Sequence, residues 1–352
     1  MTTTSQNPGA APGDGQESPY RPPLFAIYDL SIAPVTFDVM NFFVFANLWS
    51  MRMGAGGFHL IFVAGPEGRF RMTTPKDKAL DPTEKIWRLR HVMMSHAYIA
   101  KRCLGVSHFS RREDLAQLMK AMHPSQLFPP NYTLDKPRVA LMLADLFRQK
   151  PTPAELDAFE AHPAALRKVD QWLAIHAPGG RPITFTVRTS TIEVARNSNA
   201  PAWIEVARRA RDRGFDPIIL PDTDLVTRGQ ELGAFGDIPV YGMGAIDLEL
   251  RAAMYRRGLI NMADNGGPAF VTYFMGDTSG VCFMPVEKLP EVVRLTGGTV
   301  DRMAELLGVR AGESFPGATP RRRFVWEVDT TENIQRAFDA AVADLERAEA
   351  GT

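Results

Sequence analysis

Two segments of the chain carry residue types and spacings suited to holding an anion. Arg188-Thr189-Ser190-Thr191 is followed at short range by Arg196-Asn197-Ser198-Asn199. Two guanidinium groups set among hydroxyls and amides match bidentate contact with phosphate oxygens. The second segment is Asp264-Asn265-Gly266-Gly267-Pro268-Ala269. Its glycines let backbone approach a ligand closely, and Pro268 fits the first turn of a helix, where its missing N–H costs nothing. Free N–H groups and the positive dipole end at such a turn favour an anion. Each segment also has a plainer reading: an ordinary strand-to-helix turn for the second, and a solvated loop with Asn199 as a helix cap for the first. Asp222 and Asp224, in Pro221-Asp222-Thr223-Asp224, and Glu249 offer carboxylates to ribose or sugar hydroxyls. Closing a turn, or complementing a helix dipole, is the alternative for each. Asp29 offers a carboxylate able to act as general base on a hydroxyl, or to cap a loop.

These residues need strand ends to position them, and the hydrophobic pattern supplies strands. Phe25 to Leu30 and Phe58 to Ala64 read as buried strands flanking a helical run that Thr36 would cap and Gly54 to Gly57 would end. Residues 83–101 and Arg111 to Met122 read as helices, with further helices up to about Ala177. Pro178-Gly179-Gly180-Arg181-Pro182 is the clearest linker. Beyond it lie strands at Ile183–Val187, Pro217–Leu220, Ile238–Tyr241, Leu259–Met262 and Val281–Met284. Trp203, Val206, Ala207 and Ala210 recur at helical spacing, and Asp247 caps a helix closed by Arg256, Arg257 and a C′ glycine, Gly258. Asp329 and Glu332 form a capping-box pattern ahead of a last helix faced by Ile334, Phe338, Ala341, Val342 and Leu345. Alternation of strand and helix in both halves predicts an α/β chain of two doubly wound, Rossmann-like domains facing a cleft. The expected boundaries are a disordered tail over 1–22, domains over 23–177 and 183–328 joined by the linker 178–182, and the final helix over 329–352. Asp29, Arg188, Asp222 and Asn265 then all fall at carboxyl ends of strands, where such sheets bind ligands.

Bulk properties narrow the classes of function. Of 352 residues, 45% are hydrophobic and 23% charged, enough apolar material for two cores. Lys plus Arg and Asp plus Glu balance at 40 each, so a general nucleic-acid footprint is missing. Cys103 and Cys282 lack metal-ligand spacing and fit a reducing compartment. The first twenty residues hold no apolar signal-peptide core. Val39 to Met53, interrupted by Asn41, Asn47 and Ser50, is too short and polar to span a bilayer and reads as a core helix, with a membrane-facing helix as the alternative. The expected location is the cytoplasm, with the inner membrane face as a variant. His91 and His96 are five apart, a poor ligand spacing, and no zinc, Walker, nucleophile-elbow or Rossmann glycine pattern occurs.

The order of strand, Arg-bearing loop, helix, strand, capped helix, strand, Asn-Gly-Gly-Pro turn and helix resembles the donor-binding domain of GT-B-fold glycosyltransferases. In lipopolysaccharide heptosyltransferase-like members the turn carries Asp-Ser/Asn-Gly-Pro; here Asp264-Asn265-Gly266-Gly267-Pro268 has one glycine more. Val187-Arg188 with Arg196 is similar to the Arg-containing phosphate loop of fucosyltransferase-like members. The likeness covers roughly residues 182–290. It implies a nucleotide-sugar donor with its diphosphate on the turn and on Arg188, Thr189 and Arg196. It also implies a glycan, lipid-linked or protein acceptor on the first domain, and a last helix that crosses back to pack there. Asp29 would be the base if transfer inverts. No metal and no cofactor beyond the nucleotide-sugar substrate is expected, since arginines and a helix dipole can take the metal's place. A nucleotide-sugar epimerase or hydrolase, and a non-catalytic nucleotide-sugar or glycan binder, are the rival readings. A plain interaction protein would lack a pocket between the halves.

Overall fold

The computed structural model describes residues 21–190, 194–227, 235–288, 293, 297–309, 315–316, 319 and 321–351. The expected amino-terminal tail lies almost wholly outside them. In chain order the first half contains β1 (Leu24–Asp29), α1 (Val39–Arg52), β2 (Phe58–Val63), α2 (Pro75–Ala79), α3 (Pro82–Arg88), β3 (Cys103–Phe109), α4 (Arg112–Met119), β4 (Leu127–Phe128), α5 (Leu143–Arg148), α6 (Pro153–Leu156) and α7 (Pro163–His176). The second half continues with β5 (Pro182–Thr186), α8 (Ala200–Asp212), β6 (Asp216–Leu220), α9 (Thr223–Thr227), α10 (Leu248–Arg257) and β7 (Ile260–Asp264). A 3-10 helix (Gly267–Phe274) comes next, then β8 (Gly280–Phe283), α11 (Val300–Leu307), β9 (Arg322–Val325) and α12 (Thr331–Ala350).

The strands form two all-parallel sheets, ordered β3-β2-β1-β4 and β6-β5-β7-β8-β9. Parallel sheets are covered on both faces, which is why β1 and β2 read as near-continuous apolar runs and why Thr184, Thr186 and Asn261 of β5 and β7 are buried along with their apolar neighbours. α1 is buried along most of its length and lies in the core as the run Val39–Met53 predicted. No helix among the described residues is long and apolar enough to cross a membrane.

Several expectations are corrected. The last helix, α12, does not cross to the first domain: Ile334, Phe338, Ala341, Val342 and Leu345 pack with Trp203, Ile183 and Phe185, against α8 and the outer face of the second sheet. That face needs a second cover, and the apolar stripe of α12 supplies it. Thr330, not Asp329, caps the helix, accepting from Asn333 N at 3.2 Å. Residues 83–101 are not one helix; α3 gives way to a π turn over Leu89–Met93 and a 3-10 turn over Met94–Tyr98. Ile238–Tyr241 makes only an isolated bridge, Ile219 with Val240. Asp38 rather than Thr36 precedes α1 as its cap residue. Gly258 has φ −64°, so the glycine is there for space: a Cβ would sit 2.4 Å from Asn261 Oδ1. Strands β3, β4 and β9 were not foreseen; β3 and β9 are edge strands with half-exposed patterns, and β4 is two residues long.

The halves share a core. One continuous cluster joins Tyr28, Phe43, Leu146 and Phe159 of the first half to Tyr255, Phe270, Phe274 and Met275 of the second. Helix α7 leans on α10 through the Asp170–Arg257 ion pair at 2.6 Å, and on the segment before α10 through the Trp172–Tyr241 ring contact at 4.9 Å. Ala158 N and Phe159 N both donate to Phe274 O at 2.9 Å. With so much apolar surface held in common, neither half can unfold without exposing the other's core. Differential scanning calorimetry should therefore give one cooperative transition; two resolved transitions would show the halves to be energetically separate.

Candidate functional site

Within the second half, the sheet has the order 2-1-3-4-5 when its strands are counted from β5, and the direction of winding reverses between β5 and β7. Ligands of doubly wound sheets bind outside the strand carboxyl ends at that reversal. The loops after β5 and β7 are the two segments rich in phosphate-binding residue types, and the structure brings them together: Arg196 Nη2 donates to Asn265 O at 3.2 Å. Hydrogen bonds fold the Arg188 loop onto itself, with Arg188 N donating to Ser198 Oγ (2.8 Å), Ser198 N to Arg188 O (3.0 Å) and Asn197 Nδ2 to Ser190 O (2.9 Å). The Arg188 guanidinium pairs with Asp222 at 3.5 Å. Thr191 lies outside the described residues.

Three buried side-chain atoms around this junction have no partner among the described residues: Thr189 Oγ1, Asn197 Oδ1 and Asp264 Oδ2. A buried polar atom left unmatched costs about 1–3 kcal/mol, so these three make the loops after β5 and β7 a candidate place for a polar ligand. Asp264 is the sharpest case. Its Oδ1 accepts from Asn265 N at 2.8 Å, while burial, reinforced by the nearby Asp329 charge, raises its pKa to about 6. The Asn265 N–H, the Lys288 ammonium and the Ser198 hydroxyl pull the other way and only partly offset that rise. Asp329 is itself held by Lys288 Nζ (2.7 Å), Asn199 N (2.6 Å) and Trp203 Nε1 (3.0 Å). Sequence reasoning treated Asp264 only as part of the turn and missed Lys288 and Asp329. Lys288 lies just beyond β8, a third strand end beside the first two, and that position was the available signal.

The turn itself differs from expectation in two ways. It leads into a 3-10 helix, and its backbone N–H at Asn265 is already occupied by Asp264. The extra glycine is also explained without a ligand. A Cβ on Gly267 would sit 2.2 Å from Phe37 Cβ of the first half, so Gly267 is the seat for Phe37. Gly266 is different: it is buried, but the nearest atom to its Cβ position is 3.8 Å away, so a methyl group would fit there in ordinary contact.

The remaining predicted residues separate. Asp29 is fully buried and saturated. It accepts from Arg112 through both oxygens (3.1 and 3.0 Å), from Tyr132 Oη (2.6 Å), and from Ser31 N and Oγ (3.0 and 2.6 Å). Burial raises its pKa, but the Arg112, Ser31 and Tyr132 bonds outweigh that and hold it below the usual carboxylate value. A carboxylate so engaged is a poor proton acceptor, and it organises the β1 end instead. Asp224 is tied to Arg88 of the first half at 2.9 Å and to Ser190 Oγ at 2.8 Å. Glu249 is half-buried in the first turn of α10, capped by Asp247. Arg251, unforeseen, is 2% exposed and donates to Gly244 O, Pro221 O (2.7 Å) and Tyr255 Oη (3.1 Å), fixing the loops beside Asp222. His96 is buried with its pKa lowered to about 4 by desolvation, stacked against Phe43; His59 bonds Ser107. Among the described residues no three His, Cys, Asp or Glu side chains group to hold a metal ion.

Between the halves at the strand ends, Phe37, Trp87 and His91 close on Thr223, Ile246 and Arg251, leaving about 10 Å³. A groove of about 930 Å³ opens elsewhere along the same interface, between α5 and α11, walled by Phe147, Leu306 and Lys150. The halves thus pack closely where Phe37 and Trp87 meet Thr223 and Arg251.

No family model matches the chain, and no curated protein matches it in sequence. Among solved structures it is similar to a glycosyl transferase family 9 protein from Veillonella parvula, with a TM-score of 0.53 and 10% identity over 93% of this chain and 98% of that one. It is also similar to the ADP-heptose LPS heptosyltransferase II of E. coli, with a TM-score of 0.50 and 10% identity over 92% and 99%. At that identity the likeness is one of fold: the chain has the two-domain, GT-B-like α/β fold of these transferases.

The geometry predicts two outcomes. Gly266→Ala should change stability little, whereas Gly267→Ala should cost about 1–3 kcal/mol by overpacking. Phe37→Ala should recover part of that loss in the double variant; equal effects of the two glycine substitutions in denaturant titrations would refute this assignment. The second concerns Asp264. A carboxyl whose pKa is raised on folding binds its proton more tightly in the native state, so its contribution to stability falls as pH rises from the ordinary carboxylate range to about 6 and stays low above it. Asp264→Asn should therefore be more stable than the parent at pH 8, on the order of 2 kcal/mol, with the gain gone near pH 4. Thermal melts across pH that show no such divergence would remove the buried-carboxyl account.

Proposed function

We propose that the chain transfers a sugar from a nucleotide-sugar donor to a hydroxyl acceptor, the donor diphosphate lying at the β5/β7 junction. The observation that carries this reading is the convergence of Arg188 and Arg196 with the Asn265 turn around three buried polar atoms that lack partners among the described residues. The GT-B-like fold supports it. Arg188 and Arg196 neutralise charge that grows on the departing diphosphate, and preset cations at the leaving group favour the transition state over the ground state. With two guanidinium groups in place, a metal ion is not required for that task. Thr189 Oγ1 donates to a phosphate oxygen, and Asp264 Oδ2 accepts from a donor hydroxyl. Glu249, and Asp222 once its long contact with Arg188 is given up to the diphosphate, are the carboxylates for ribose or sugar hydroxyls; Asp224 is engaged by Arg88. Residues 183–328 form the donor side and 23–177 the acceptor side.

A non-catalytic nucleotide-sugar binder is the second reading, and the saturation of Asp29 favours it, because the carboxylate at the β1 end is not available to deprotonate an acceptor. Both readings are tested by a thermal-shift panel of nucleoside diphosphates and their sugars, followed by donor-hydrolysis and transfer assays. Arg188→Gln should weaken binding of the best diphosphate about 10- to 100-fold, the worth of a charge-assisted hydrogen bond, with the unliganded melting temperature little changed. A ligand shift that survives Arg188→Gln and Arg196→Gln intact would sink the site. Binding without turnover in the parent chain would select the non-catalytic reading.

A further inference from the structure

The opposite edge of the second sheet carries a second concentration of positive charge. Strand β9 begins at Arg322, Gly280 N at the start of β8 donates to Arg321 O, and both strands run parallel to β7. A groove of about 500 Å³ lies there, lined by Arg321, Arg322 and Arg347 together with Thr319. Its two carboxylates already have cations: Asp344 binds Arg323 and Arg347, and Asp277 faces Arg256. Arg321 and Arg322 have no carboxylate partner among the described residues. Arg321 reaches only Leu259 O at 3.4 Å, and Arg322 Nη1 donates to Tyr273 O at 2.9 Å. The Arg322 Nε–H is buried with no acceptor among the described residues. Desolvation lowers the Arg322 pKa and outweighs the opposing pull of the Asp157 and Asp277 charges, neither of which touches it.

Two guanidinium groups that touch no carboxylate among the described residues, set beside an open groove and one with a buried donor facing no acceptor there, describe an anion receptor. We propose that Arg321 and Arg322 bind a phosphate-bearing small molecule at this amino-terminal edge, as a site separate from the β5/β7 junction. Strands of four to five residues at ~3.3 Å per residue put the two edges about 15 Å apart. One diphosphate cannot span that distance, so the two sites are independent.

Inorganic pyrophosphate is the probe, titrated by calorimetry into Arg188→Gln, a background in which the junction is disabled. Binding should persist there and fall at least about tenfold on adding Arg321→Gln or Arg322→Gln, with Arg322→Lys keeping part of it. Arg321→Gln guards against misfolding, since it gives up only one long bond to Leu259 O. A phospholipid headgroup offers the same chemistry, so the same variants are sedimented with phosphatidylglycerol vesicles against phosphatidylcholine vesicles. Loss of either interaction on removing Arg321 supports the site and tells which source supplies the phosphate. If pyrophosphate and vesicle binding are both absent, or both indifferent to Arg321 and Arg322, the proposal fails, whatever becomes of the junction.

Discussion

An all-parallel sheet must be covered on both faces, and the architecture of this chain follows from meeting that demand twice. The outer face of the second sheet takes α8 and α12. Its inner face takes α10, the 3-10 helix and α11, and these pack onward against α1, α5 and α7 of the first half. One layer of helices therefore serves two sheets. That is why the hydrophobic cluster runs unbroken across the linker, and why the strand ends of the two halves meet so closely. Phe37 seated on Gly267 is the point where this shared packing reaches the predicted ligand turn.

Asp29 and Asp264 show how neighbours decide what a carboxylate can do. Each ends a central strand of its sheet, and each is almost wholly buried. Asp29 has Arg112 within bidentate reach and donors for both oxygens, so its charge is stabilised and its proton affinity depressed. Asp264 has one backbone donor, a weaker pull from the Ser198 hydroxyl, an acidic neighbour in Asp329, and a lysine whose bond goes to that neighbour instead. Its charge is therefore disfavoured and one oxygen stays unmatched. Chemistry at a strand end belongs with the second kind of residue, because a saturated ion pair has no capacity to spare.

The fold was largely legible because buried parallel strands announce themselves as apolar runs between turn residues, and the linker at 178–182 separates two such series. The loops at Arg188 and Asn265 were legible as partners because each follows a predicted strand. Other features depended on distance in the chain. Arg112 stands 83 residues from Asp29, Phe37 lies far from Gly267, and Asp329 meets Trp203 from the other end of the second half. No local pattern carries such pairings. The final helix was misplaced for a similar reason: its apolar stripe specifies that it docks, and only the uncovered sheet face specifies where. β3 and β9 escaped notice because edge strands exposed on one side lack the continuous hydrophobic signature.

The ion pairs around the proposed donor site have a definite electrostatic logic. Arg188 is paired with Asp222 and Arg88 with Asp224, so cations that could meet a diphosphate are held by carboxylates of the same loop. Such an arrangement keeps the buried charges matched within the protein itself. On the proposed reading, a diphosphate at the junction would replace one set of negative charges around Arg188 with another, while the Arg88–Asp224 pair joins the two halves beside it. Breaking one partner from a buried pair is costly, but an exchange of anions leaves each arginine satisfied throughout. The Arg88–Asp224 pair thus ties the two halves together beside the proposed donor site, with both charges matched inside the protein.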